Sequence, residues 1–125
     1  MITLNTVNKS LEIVLGAAPT AECQYVVSYI NVDKSGSRTD HSADGVTNGT
    51  TAVTAIAAPQ AGSRRYVMSL SVFNPTGGTT DIGVIVRLNN NGTARGIASG
   101  SLKVSPTAPN AIYYENGYGW SKPTL

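Results

Sequence analysis

The chain's one histidine, His41, lies between Asp40 and Asp44 with Ser42 beside it, and an acid, an imidazole and a hydroxyl are the parts of a hydrolytic triad. Such catalysis needs preorganised donors and a base held against its nucleophile. These residues instead follow one another in a polar run from Asp33 to Gly49, where no local pattern holds them in that geometry. Solvated side chains are the better reading. Asp33, Asp40 and Asp44 lack the alternating oxygen ligands and closing Glu of a calcium loop. One cysteine, Cys23, allows no internal disulfide, and with a single histidine it assembles no zinc site, so it reads as a small side chain at the start of a strand. The seven acids are spread too thinly for the paired carboxylates of a glycosidase. The expectation is a protein that is not an enzyme, with no cofactor and no metal.

The residues that remain must act by contact. Of 125 residues only 13% are charged, about half the usual ~25%, and small hydrogen-bonding residues fill the difference. Such a surface suits packing beside copies of itself or a partner. A net charge of +2 with scattered Lys and Arg argues against nucleic acid. No stretch approaches the ~20 apolar residues of a membrane span, and Met1 onward lacks the basic start and apolar run of a signal peptide. Synthesis and folding in a cytoplasm are expected, and the Asn8, Asn48 and Asn91 triplets are then coincidental as glycosylation sites.

The elements read as strands throughout. Arg64 to Ile97 carries two period-two runs and a third short one, joined by Asn/Gly-rich turns, which predicts a three-stranded antiparallel meander. Its first run places Tyr66, Met68, Leu70 and Val72 on one face, and its second places Ile82, Val84, Val86 and Leu88 on one face. Upstream, Leu11, Ile13 and Leu15 share a face opposite Glu12. In Gln24 to Val32 both faces are apolar, with Val26, Ile30 and Val32 on one and Tyr25, Val27 and Tyr29 on the other, which predicts a strand covered on both sides or bordering a subunit contact.

Residues 1–9 read as an N-terminal arm or edge strand, and 10–125 as one domain with a polar, structureless loop at 33–49. Thr50 to Ala58 returns to strand character, and Pro106 and Pro109 break the ladder after Val104. The Asn116-Gly117 pair predicts a type I′ turn in a closing aromatic hairpin. Tyr113, Tyr114, Tyr118 and Trp120 crowd into that hairpin, where core closure or a subunit interface outweighs ligand binding. Eight or nine short strands without a helix make an all-β, single-domain antiparallel β-sandwich of Greek-key or jelly-roll kind.

Four segments carry a resemblance: Thr47 to Pro59, Ser71 to Thr76, Val86 to Thr93, and the final Tyr-Tyr-Glu-Asn-Gly-Tyr-Gly-Trp. Together they resemble small β-sandwich virion structural proteins of tailed bacteriophages, over roughly residues 45 to 122. The resemblance implies a virion protein made in the host cytoplasm, first of all a capsid decoration or cement protein. Its partners would be the major capsid protein and its own copies in a homotrimer, with no nucleic acid and no membrane. In that picture Ile2, Thr3, Leu4 and Asn5 add a strand to a capsid edge, and Tyr113, Tyr114, Tyr118 and Trp120 meet around a three-fold axis. A tail or neck attachment protein and a carbohydrate- or receptor-binding module of the virion are the alternatives.

Overall fold

The computed structural model describes the whole chain, Met1–Leu125. Ten strands form two antiparallel sheets, and no helix is long and apolar enough to cross a membrane. In chain order they are β1 (Ile2–Leu4), β2 (Lys9–Leu15), β3 (Gln24–Val32), β4 (Arg38–Val46), β5 (Val53–Ile56), β6 (Arg64–Phe73), β7 (Ile82–Asn90), β8 (Thr93–Leu102), β9 (Ala111–Glu115) and β10 (Gly119–Ser121). One sheet runs β10-β9-β6-β3-β4, and β1 pairs with the part of β6 that β9 does not reach. The other runs β5-β2-β7-β8. The all-β sandwich is the expected class, with ten strands in place of eight or nine.

The core lies between the sheets. Leu4, Val27, Val67, Leu70, Val72 and Ile112 from the larger sheet meet Leu11, Ile13, Ile56, Val84, Val86 and Leu102 from the smaller, each at most 2% exposed. Burying each such side chain contributes ~1.5–3 kcal/mol. The faces expected for β2 and β7 hold: Leu11, Ile13 and Leu15 are buried, as are Ile82, Val84 and Val86 with Leu88 beside them.

Four expectations are corrected. The meander does not form, because β6 belongs to the larger sheet while β7 and β8 belong to the smaller. The connection between Phe73 and Ile82 crosses the sandwich, held by the buried Asn74, whose amide donates to the Thr79 carbonyl at 2.8 Å. A continuous period of two cannot reveal such a crossing, since each run looks the same in either sheet.

Second, β6 does not keep one apolar face. The β3–β6 register shifts after Ser28↔Ser69, and the next pair is Tyr29↔Val67. This bulge inserts Met68 as an extra residue, so Val67, Leu70 and Val72 are buried while Tyr66 and Met68 pass to the other face.

Third, the segment 33–49 is not structureless. Arg38–Val46 is β4, paired residue for residue with β3, and the turn is closed by Asp33. The Asp33 carboxylate accepts from the Ser35 and Ser37 amides at 2.9 and 3.0 Å, and Gly36 takes the positive φ the turn needs. Apart from Thr39 and Val46 its residues have little β-propensity, and pairing with β3 overrides that weakness.

Fourth, the aromatic hairpin forms with a three-residue loop. Glu115 pairs with Gly119, and the positive φ angles fall at Gly117 and Gly119. The type I′ geometry occurs instead at Asn91-Gly92, both at positive φ, between the paired Asn90 and Thr93.

Candidate interaction surface

The outer face of the larger sheet is built on β3. Tyr25 and Val27 point to the core, so alternation sends Val26, Ser28, Ile30 and Val32 outward. Across the ladder Ile30 pairs with Asp40 and Tyr66, and Val32 with Arg38 and Arg64. Met1, Ile30, Val32, Arg38, Tyr66 and Met68 line an open groove of about 460 Å³. Beyond the Ser28–Ser69 pair the apolar surface resumes at Val26 and Val46, 56% and 57% exposed. No element of the chain covers this face, so the doubly apolar strand read from the sequence is half uncovered. Uncovered apolar surface rimmed by polar residues marks an interaction site.

Arg38 lines the groove, and acid side chains follow it along β4. Arg38, Asp40 and Asp44 are exposed along β4, and the two ion pairs within the chain lie elsewhere, at Glu12–Arg87 and Asp81–Lys103. On the inner side of β3, Tyr29 stacks on His41 with ring centroids 5.2 Å apart, and the Arg65 guanidinium lies 5.2 Å from the same Tyr29 ring. Asp40 and His41 are adjacent in a strand and therefore face opposite ways, which separates the parts of the supposed triad. No three His, Cys, Asp or Glu side chains come together as a metal site.

Cys23 is fully buried immediately before β3, as its small-side-chain reading requires. Burial, with the Glu22 carboxylate adding to it, pushes the thiol up from 9.0 to about 11, so it is protonated and a poor nucleophile at neutral pH. Glu22 accepts from the Thr47 hydroxyl at 2.7 Å and the Gly49 amide at 2.9 Å, which ties the start of β3 to the turn after β4.

The residues expected to contact a capsid edge are part of the sandwich. Ile2, Thr3 and Leu4 pair with Val67, Tyr66 and Arg65. Leu4 is wholly buried, so it serves the core and is withheld from any partner. Ile2 is half-buried against the same core, Thr3 is half-buried, and Asn5 is exposed, accepting from the Lys9 ammonium at 3.1 Å. The strand that was to be added elsewhere is already added to β6.

The four aromatic residues divide. Tyr114 is buried, and Trp120 packs against it at 5.0 Å between ring centroids, so this pair closes the core. Tyr113 is half-buried on the opposite face of β9, and only Tyr118, at the hairpin tip, is freely exposed. A three-fold ring of all four cannot form from this arrangement. Sequence reasoning missed Tyr66 and Met68 as surface residues, because only the Ser28–Ser69 pairing betrays the bulge that turns them out.

The chain matches no model of a known protein family, no curated protein and no solved structure.

Proposed function

We propose that the chain is a virion structural protein of the capsid decoration type, which attaches to assembled heads by the outer face of its larger sheet and stabilises them. The observation that carries the reading is the uncovered apolar groove of Ile30, Val32, Tyr66 and Met68, continued by Val26 and Val46. Resemblance of the turn-and-strand segments to tailed-phage virion proteins supports the same class. A lattice presents many copies of one docking site, so modest contacts add up through avidity, and binding only the assembled state stabilises it by mass action. The major capsid protein is the partner in this reading.

The receptor-binding alternative is weakened at Trp120, whose ring packs against Tyr114 and serves the core. Glycans are expected to leave Trp120 fluorescence unchanged. Co-sedimentation tests the main reading: the protein should pellet with intact or expanded heads of its phage and not with isolated tails. Pelleting with tails alone would assign it to the tail or neck instead.

A further inference from the structure

We propose that β4 is a self-pairing edge, and that two copies of the chain join through it, antiparallel and centred on His41. Which main-chain groups of β4 are free decides how a second copy can pair with it. Antiparallel ladders alternate hydrogen-bonded and non-bonded pairs. The Asp33 amide donates to the Ser37 carbonyl at 3.0 Å at one end of the β3–β4 ladder, and the Thr47 amide donates to the Cys23 carbonyl at 2.9 Å at the other. Between them the register runs unbroken from Val32↔Arg38 to Gln24↔Val46. The bonded positions of β4 are therefore the odd-numbered ones. Arg38, Asp40, Ser42, Asp44 and Val46 turn their N–H and C=O groups away from β3, into solvent.

β4 is the last strand of its sheet, and its nine residues include no proline and no bulge to block addition of another strand. A second β4 can bond only with outward residue against outward residue, which leaves few registers. Centring on Ser42 sets Asp40 against Asp44 of the other copy, twice, a repulsive arrangement. Centring on Asp40 sets two aspartates directly opposite and shortens the overlap. Centring on His41 sets Arg38 against Asp44 at both ends and Asp40 against Ser42 between them. That register alone combines a long overlap with opposite charges at its ends, and it forms about eight main-chain hydrogen bonds, two for each of four outward pairs.

None of the three charges has an ion-pair partner within its own chain, and all are exposed. The two-fold axis stands perpendicular to the sheet, so the outer faces of both copies lie on one side. Two grooves then open on the same side of the pair, with the outward residues of both β4 strands between them. The pairing rests on β4 alone and stands whether or not the partner of those grooves is a capsid.

Sedimentation velocity over a concentration series, with circular dichroism as the check on folding, tests this. The wild-type protein should sediment at twice the chain mass. R38D and D44R should each weaken self-association by about tenfold or more, since each sets like charges opposite one another at both ends. The double variant R38D/D44R should restore it. Ser42→Pro, which removes an N–H that no bond within the chain uses, should give a folded monomer. A wild-type monomer or trimer, single variants that associate as the wild type does, or a double variant that stays monomeric would overturn the proposal.

Discussion

Ser28 and Ser69 face each other on the outer side of the larger sheet with their hydroxyls 2.6 Å apart, at the last pair before the β3–β6 register shifts. The pair sits where the ladder is about to gain Met68, and it satisfies two polar groups in the middle of an apolar face. Removing one hydroxyl leaves the other without its partner. Ser69→Ala should therefore cost ~0.5–1.5 kcal/mol, and the double variant with Ser28→Ala should cost less than the sum of the two singles. Urea denaturation of the four proteins checks this.

Leu4 is a core residue three positions from the start of the chain, with no exposed surface. Leu4→Ala should lower stability by ~2–5 kcal/mol, the range for truncating a buried leucine. Deletion of residues 1–8 should destabilise at least as much, because it also strips the β1 pairing from β6. Thermal unfolding measures both, and an unshifted melting temperature would show that β1 is dispensable.

How far the sequence reveals this architecture depends on which residue is asked. Leu11, Ile13, Leu15, Ile82, Val84 and Val86 declare their faces, because unbroken alternation against a buried partner leaves one choice. Tyr66 and Met68 do not, since a single inserted residue reverses a face and leaves the hydrophobic pattern unchanged. Arg38 to Val46 is a strand because β3 pairs with it, since of its residues only Thr39 and Val46 favour that conformation. The surface proposed for binding was half legible: Val26, Ile30 and Val32 showed that β3 is apolar on both sides. Only the layout of the two sheets shows which side is left open.

Cys23 should resist modification in the folded protein. The thiol has no exposed surface and is raised from 9.0 to about 11, so a disulfide reagent at neutral pH should react only after unfolding. The folded value lies above the unfolded one, so this residue's contribution is intact below pH 9.0 and is lost as pH rises through about 11. Stability should fall over that window, and Cys23→Ser should lessen the fall. Rapid labelling of the native protein would contradict the burial.

Asp33 holds the β3–β4 turn as an acceptor from Ser35 and Ser37, and those bonds lower its carboxyl below the ordinary 3.8. A lowered folded value means that its contribution is present above pH 3.8 and disappears as pH falls through the folded value. Asp33→Ala should destabilise at neutral pH and should flatten the loss seen on acidification. Amide exchange in Arg38–Val46 should be the most affected, since that strand depends on the turn.

Docking by the outer face of the larger sheet is tested most directly by co-sedimentation of a V26E/I30E variant with phage heads. Both side chains lie outside the core, so the variant should fold, with a somewhat lower melting temperature because the new carboxylates face Asp44 and Asp40 across the ladder; circular dichroism checks the fold. The variant is expected to remain in the supernatant while the wild type pellets. A folded V26E/I30E protein that pellets with heads as the wild type does would contradict the claim.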